Sequence, residues 1–169
     1  RPVPFMETDA GAMKTISAPH MVATLLHHME LKSGEDVTIL GAKGGYITAL
    51  VAKIVGEDGC VRVLDPSIDA VAHVRQRLTH WPTVEVRELE SIDVAPVAFP
   101  GELHRVLVTG QVNSLPDWMV ERMVEGGFVL APMGPKTSQQ LMKMELQEGL
   151  PVEWVVSMKD VAICAKKEQ

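Results

Sequence analysis

Apolar positions along this chain follow two spacings in turn, and these spacings predict alternating helices and strands. From Pro19 to Met29 the apolar side chains recur at helical spacing, which predicts a helix that ends near residues 32–34. Farther along, short apolar runs bounded by Gly, Pro or polar residues predict buried strands. The predicted strands span residues 36–41, 60–65, 83–87, 103–109 and 128–131, and the helices between them span 46–55, 67–78 and 116–124.

This alternation predicts the fold class, a doubly wound α/β domain with a mostly parallel sheet and helices on both faces. Segments 139–145, 152–158 and 161–166 have strand character without an obvious helix between them, so we expect antiparallel C-terminal strands at one edge. Residues 1–18 show no periodicity, and we expect a loop-like N-terminal lead-in segment followed by one domain over residues 19–169. The ligand of such a fold lies beyond the carboxyl ends of the first strands.

Composition and charge exclude several classes of protein. A chain of 169 residues with 46% hydrophobic and 22% charged residues is typical of one globular domain, not of a disordered segment. The net charge of −6 and the lack of a basic stripe argue against nucleic acid as a partner. No apolar stretch reaches the roughly 20 residues of a membrane span, and no signal peptide is evident, so we expect no membrane partner.

The cysteines and histidines indicate neither a disulfide nor a metal site. Cys60 and Cys164 lie far apart in apolar runs, which favours small buried thiols and a reducing, cytoplasmic location. The adjacent His27 and His28 point in different directions on a helix, and no carboxylate or cysteine cluster completes a ligand set. We therefore expect no metal.

Two features lie where the ligand would bind. The turn GAKGG, residues 41–45, joins the first parallel strand to its helix, and its glycines let backbone N–H groups approach a ligand closely. Such a turn can also be nothing more than a tight connection. Asp65 ends the next strand, where a carboxylate can accept both ribose hydroxyls, although it could also be a solvated turn residue. Together the two features predict a bound nucleoside.

The identity of that nucleoside is narrowed by what the turn lacks. A dinucleotide-binding turn has a second glycine that gives the pyrophosphate room, and here Lys43 stands in that place. The phosphate-binding pattern in which Gly-Lys is followed by Ser or Thr is also absent. Nicotinamide cofactors and nucleoside triphosphates are thus disfavoured.

Several motifs together resemble the protein-L-isoaspartate O-methyltransferase family. The segment TISAPHM, residues 15–21, is similar to the family signature that precedes the first parallel strand, and RPVPF, residues 1–5, resembles its lead-in. GAKGGY, residues 41–46, occupies the place of the family's G-[ST]-G-[ST]-G-Y cofactor loop. VLVT (106–109), Gly126-Gly127 and VLAPMG (129–134) follow in the family's order. The signature is fairly specific, whereas the other matches are weak singly.

The resemblance implies a Rossmann-like class I methyltransferase that uses S-adenosyl-L-methionine to methylate the free carboxyl of isoaspartyl residues. It implies Ser17 as the catalytic residue and Thr15, Ala18 and His20 as substrate-binding residues. The implied cofactor-binding residues are Gly41, Ala42, Lys43, Gly44, Gly45, Tyr46, Asp65, Pro66, Glu90 and Thr109. The partner would be an isoaspartyl-containing protein or peptide, and the oligomeric state is left open.

This chemistry needs few side chains. A carboxylate is already a nucleophile at neutral pH, so the protein has to position the reactants and exclude water rather than supply a general base. A hydroxyl such as Ser17 could hydrogen-bond the attacking carboxylate and orient it. Its alternative role is that of an N-cap for the helix that begins at Pro19.

Departures from the family pattern cluster around the cofactor. Ile39 stands where the family has a carboxylate that holds the methionine amine, and Lys43 replaces the middle glycine of the loop. His104 replaces an aspartate, and residues 110–113 replace an A-A-A-P run. These changes leave a second hypothesis, a catalytically impaired relative that serves as a binding or assembly module. A third hypothesis is a tRNA adenine-N1 methyltransferase-like protein, because the turn at residues 56–59 resembles that group.

Overall fold

The structure is a computed structural model that describes residues 3–7, 13–16, 19–97, 99, 101–135 and 137–156, with only the backbone described before Pro19. Within these ranges the helices are α1 (Pro19–Met29), α2 (Tyr46–Val55), α3 (Ile68–Arg77) and α4 (Asp117–Arg122). The strands are β1 (Val3–Glu7), β2 (Met13–Ile16), β3 (Asp36–Leu40), β4 (Cys60–Asp65), β5 (Val84–Glu88), β6 (Leu103–Val108), β7 (Met123–Met133), β8 (Gln140–Gln147) and β9 (Leu150–Val155).

Seven strands form one sheet in the order β5-β4-β3-β6-β7-β8-β9. The first five of these are parallel, and β8 and β9 are antiparallel at one edge. Leu40 lies opposite both Leu64 and Val108 in the register, so β3, β4 and β6 end at the same level. The doubly wound fold with antiparallel C-terminal edge strands is thereby confirmed, and its central strands end together where a ligand is expected.

The two faces of the sheet are covered differently. Helices α1, α2 and α3 pack on one face, where Met29, Val51 and Val74 are fully buried. The other face is covered by the six-residue helix α4 and the segment after β5, through Trp118, Met119 and residue Phe99. Burial of these side chains on both faces accounts for the near-continuous apolar runs of the parallel strands.

Two expectations about local structure were wrong. Residues 1–18 were expected to be loop-like, but β1 and β2 pair there in an antiparallel ladder, which is too short to show a periodic pattern. The helix expected over residues 116–124 ends at Arg122, because Met123 turns to an extended conformation and pairs with Leu103. Its apolar residues suit a helix as well as a strand, and sheet pairing decides between them.

A buried lysine fastens α1 to the sheet. Lys143 on β8 donates to the carbonyl oxygen of His28 at 3.2 Å, lies 3.3 Å from a carboxylate oxygen of Glu30 and stands 3.9 Å from the centre of the Phe128 ring. The charge is thus compensated although only 8% of the residue is exposed. This contact sets the position of α1 beside β7 and β8.

The prediction of small buried thiols at the two cysteines is confirmed only in part. Cys60 is a free thiol, as expected, but it is half-buried rather than fully buried. Burial raises the pKa of the Cys60 thiol, with Arg62 acting in the opposite direction. Cys164 and the strand expected at 161–166 lie outside the described residues.

No helix in the described part of the chain has both the length and the apolar content to cross a bilayer.

Strands β6 and β7 approach each other closely at Gly127, and substitution of this residue tests that approach. A Cβ atom at this position would lie 2.9 Å from the carbonyl oxygen of Val124 and 3.0 Å from those of Leu103 and His104. Because all three are backbone atoms that cannot move aside cheaply, we expect Gly127→Ala to lower the free energy of unfolding by about 1–3 kcal/mol. Urea denaturation measures the change.

Gly101→Ala is the matched control, since a Cβ at Gly101 meets nothing within 4 Å. Its unfolding free energy should stay within about 0.5 kcal/mol of the parent value. Equal stability of the two variants would contradict the close approach of β6 and β7.

Candidate active site

The turn between β3 and α2 has an unusual backbone conformation. Gly41, Lys43 and Gly45 all have positive φ, at 104°, 48° and 82°. Glycine adopts these angles freely, whereas lysine does so at a cost of about 1–2 kcal/mol. The first N–H groups of any α-helix have no intrahelical acceptor, and Gly45, the N-cap of α2, has no side chain that could accept from them. The turn therefore presents backbone donors and a positive helix end beyond the strand ends.

Asp65 fixes this turn from the neighbouring strand. One carboxylate oxygen accepts the backbone N–H of Ala42 at 2.7 Å, and the other accepts the N–H of Ser67 at 2.7 Å. Asp65 is 5% exposed, so these hydrogen bonds are shielded from water. Since hydrogen bonds to a charged group are stronger than neutral ones, Asp65 ties the end of β4 to the turn after β3.

Thr109 fixes the same turn from the other side. Its hydroxyl lies 3.1 Å from the carbonyl oxygen of Leu40 and 2.9 Å from that of Gly41, and it can donate to either. A Cβ atom at Gly41 would lie 2.1 Å from the Thr109 hydroxyl oxygen. The first glycine of the turn is therefore required by contact with Thr109 as well as by its φ angle.

A cavity of about 500 Å³ opens beside the turn. Met21 and Leu25 of α1 line it, together with Pro132 of β7 and Leu141 of β8. The remaining described lining residues are Lys43, Thr109, Gly110, Gln111, Gln139, Gln140, Val155 and Val156. The volume suits a small ligand or a few residues of a peptide.

Lys43 stands where the turn meets this cavity. Lys43 lines the large cavity and also a small neighbouring one with Gly44 and Tyr46. Gln111 is another lining residue, and its side chain donates to the carbonyl oxygen of Gly134, which links the loop after β6 to the end of β7. The described lining of the cavity therefore includes one lysine and three neutral amide side chains.

The structure brings together most of the predicted cofactor residues. Residues 41–46, Asp65 and Thr109 meet at the ends of β3, β4 and β6 through the contacts described above. Pro66 is exposed beside them. Glu90 lies apart from the large cavity, on a second one of about 270 Å³ that Arg87 and Phe99 also line.

The predicted substrate residues are only partly described. His20 is exposed in the first turn of α1. Thr15 lies in β2, where only the backbone is described, and Ser17 and Ala18 lie outside the described residues. No group of three or more metal-ligating side chains occurs in the described ranges. The roles of these residues therefore stay predictions.

Three polar residues at the cavity were not identified from the sequence. Gln111, Gln139 and Gln140 come from the loop after β6 and from the start of β8. In the sequence, Gln111 stands in the run that replaces the family's A-A-A-P, and residues 139–140 begin a predicted strand. The signal that points to Gln111 is its place directly after a strand end, whereas nothing local marks the other two.

Comparison with known proteins shows which family this chain matches. The family model of protein-L-isoaspartate(D-aspartate) O-methyltransferase matches residues 3–163 of this chain. A relative named protein-L-isoaspartate O-methyltransferase from Anaeromyxobacter dehalogenans is 31% identical over 167 residues, which cover 92% of this chain and 75% of the relative. Relatives of the same name from Ignicoccus hospitalis and Methanosarcina mazei are 29% and 28% identical over 78% and 83% of this chain. The chain spans only 63% and 57% of the length of the latter two.

Solved structures have the same fold. A Plasmodium falciparum structure described as a protein-L-isoaspartate O-methyltransferase in complex with S-adenosyl-L-homocysteine superposes with a TM-score of 0.76 at 20% identity. The superposed region covers 92% of this chain and 75% of the Plasmodium chain. Another structure of that name has a TM-score of 0.77 at 21% identity, over 92% of this chain and 49% of its own. At these identities the likeness shows the fold.

The two hydrogen bonds that Asp65 accepts from Ala42 and Ser67 can be tested with the variant Asp65→Asn. Asparagine keeps one acceptor oxygen but places an NH2 group against the second backbone N–H. With one buried donor unsatisfied, the free energy of unfolding should fall by about 1–3 kcal/mol in urea denaturation. The control Asp58→Asn, at an exposed turn, should change it by less than about 0.5 kcal/mol. If both variants lowered the free energy of unfolding equally, the two hydrogen bonds of Asp65 would not stabilise the turn.

Proposed function

Because this chain belongs to the protein-L-isoaspartate O-methyltransferase family, we propose that it transfers a methyl group from S-adenosylmethionine to the free carboxyl of isoaspartyl residues in damaged proteins or peptides. The observation that carries the proposal is the turn held by Asp65 and Thr109 beside a cavity of about 500 Å³. The reaction would serve protein repair. We place it in the cytoplasm, since the free Cys60 is compatible with a reducing compartment.

The residues present fit the cofactor in two respects. The helix end at Gly45 has no side-chain cap and offers backbone donors suited to the methionine carboxylate. Asp65 ends β4 beside this turn, at the place where a carboxylate can accept ribose hydroxyls in folds of this kind. The residues that would hold the cofactor are accordingly those of turn 41–46, with Asp65 and Thr109.

The proposed mechanism requires no general base from the protein. The bound cofactor supplies an electrophilic methyl group on a positively charged sulfur. The acceptor carboxylate is the nucleophile, so the task of this chain is to hold it in line and keep water away. The apolar side chains Met21, Leu25 and Leu141 supply the water-excluding surface of the cavity. Such positioning can contribute several kcal/mol to the barrier.

One specific observation favours a second candidate function, a binding or assembly module that no longer catalyses. Ile39 is fully buried in the core where the family has a carboxylate, so this position offers no charge to the methionine amine. Lys43 adds a cation to the turn. Losing one charged hydrogen bond weakens binding by about 1.5–3 kcal/mol, which is roughly tenfold to a hundredfold.

Calorimetric titration with S-adenosylhomocysteine separates the two candidates. We expect micromolar binding, because the backbone donors of the turn are held in place by Asp65 and Thr109 rather than by Ile39. NAD⁺ is the control ligand and should not bind, since Lys43 stands where a pyrophosphate needs a glycine. A protein that stays folded and shows no heat with millimolar S-adenosylhomocysteine would establish the binding-module alternative instead.

The acceptor is tested with a matched pair of peptides. Methyl transfer from labelled S-adenosylmethionine should occur with an isoaspartyl peptide and not with the same sequence that contains normal aspartate. Equal labelling of both peptides, or of neither when the cofactor binds, would refute isoaspartyl specificity.

Ser17 is proposed to orient the acceptor, on the strength of the signature at residues 15–21. Ser17→Ala should lower kcat at least tenfold with an isoaspartyl peptide, and Ser17→Thr, which keeps a hydroxyl, should restore part of it. If Ser17 only caps α1, the alanine variant loses about 1 kcal/mol of stability with kcat unchanged. Turnover measured together with thermal unfolding distinguishes these roles.

A further inference from the structure

We propose that Asn113 is a site of spontaneous covalent modification, at which the side-chain amide is lost and an isoaspartyl residue forms. Asn113 is the only asparagine of the chain, and Ser114 follows it. Both residues are exposed, and they lie in the loop between β6 and α4, outside the helices and strands. The reaction needs only water, so the inference does not depend on the proposed function.

The chemistry has two steps. The backbone nitrogen of Ser114 attacks the side-chain carbonyl carbon of Asn113 and gives its proton to the side-chain amide nitrogen, which leaves as ammonia. The product is a five-membered succinimide ring. Water then adds to one ring carbonyl, and the bond between that carbon and the ring nitrogen breaks. When the original main-chain carbonyl is the one attacked, the main chain continues through the former side chain and a free α-carboxylate is left.

The attacking N–H group is not engaged elsewhere. In the described ranges, the backbone N–H of Ser114 donates to no acceptor, and the side chain of Asn113 makes no hydrogen bond. A helix or a strand ladder would hold such an N–H against a carbonyl oxygen and fix the main chain around it. Here no hydrogen bond has to break before the ring closes.

A second pair of residues shows what restraint looks like in this chain. The turn between α2 and β4 contains Asp58 followed by Gly59, whose nitrogen is the least hindered because glycine has no side chain. The Gly59 N–H, however, donates to the carbonyl oxygen of Gly56 at 3.1 Å. A Cβ atom at Gly59 would lie 2.5 Å from side-chain atoms of Val55, so the main chain is packed against α2. The structure therefore favours reaction at Asn113 over Asp58.

The modified residue would adjoin the large cavity. Val112, directly before Asn113, donates its N–H to the carbonyl oxygen of Pro132 and accepts the N–H of Gly134, each at 3.1 Å. Pro132 and Gln111 line the cavity. The isoaspartyl product lengthens the main chain by one methylene and adds one negative charge immediately after this junction. The modification thus alters the loop that borders the cavity.

Peptide mapping by mass spectrometry tests the proposal on the folded protein and on two synthetic peptides, residues 108–118 and 53–63, aged side by side in mildly alkaline buffer. Electron-transfer fragmentation distinguishes isoaspartate from normal aspartate. We expect isoaspartate at position 113 to form in the folded protein at a rate within a few-fold of that in its peptide. Asp58 should isomerise in its peptide and stay intact in the folded protein, because its attacking nitrogen is restrained.

Two variants check the chemistry of the site. Asn113→Gln should remove the modification at this position, because its longer side chain does not close a five-membered ring. Ser114→Val should slow it several-fold, because a β-branched side chain hinders the attacking nitrogen. Both variants keep an exposed loop residue at the substituted position.

Three results would overturn the inference. Asn113 could stay intact in the folded protein while its peptide reacts, which would show that the loop restrains the pair. The product could be normal aspartate alone, which would indicate direct hydrolysis of the amide instead of a succinimide. Asp58 could react as fast in the folded protein as in its peptide, which would contradict the protective role of the Gly59 hydrogen bond. No cofactor or acceptor peptide is added, so none of these results depends on the proposed methyl transfer.

Discussion

The geometry of the whole site depends on one buried carboxylate. Asp65 accepts the N–H of Ala42 from one strand connection and the N–H of Ser67 from the next, each at 2.7 Å. These two hydrogen bonds join the turns after β3 and β4, which would otherwise be separate loops on the same edge of the sheet. Thr109 completes the arrangement from β6 by reaching the carbonyl oxygens of Leu40 and Gly41. The turn can present backbone donors to a ligand because side chains from both neighbouring strands hold it.

The cavity depends on a second set of contacts at the antiparallel edge. Lys143 binds the carbonyl oxygen of His28 and packs on Phe128, and in this way α1 is held beside β7 and β8. Arg105 lies on the same ring, 4.7 Å from its centre, so Phe128 is contacted by two cations. A wall of the cavity is therefore built from a helix that precedes the sheet and strands that end it. The cavity is thus lined by residues that lie more than 100 positions apart in the sequence, such as Leu25 and Leu141.

The charges of the site differ from those that the family pattern implies. A negative charge is missing at Ile39, which is buried in the core, and a positive charge is added at Lys43, which lines the cavity. Both changes make the site more attractive to anions. Under the proposed function, the backbone N–H groups at the start of α2 would hold the methionine carboxylate of the cofactor, and the end of β3 offers no carboxylate to its amine.

The sequence by itself determined the fold and predicted which strand ends a ligand would meet. Periodicity fixed α2 and β4 at their observed bounds, because each is a buried element whose side-chain pattern is local. The end of α4 and the strand that follows it could not be read in this way, since Met123 suits both elements and only its pairing with Leu103 decides. The residues of the turn were likewise evident from their position after a strand. That Asp65 holds Ala42, and that Gln139 and Gln140 share a cavity with Lys43, was decided by tertiary structure, because these contacts join residues far apart in the chain and leave no periodic trace.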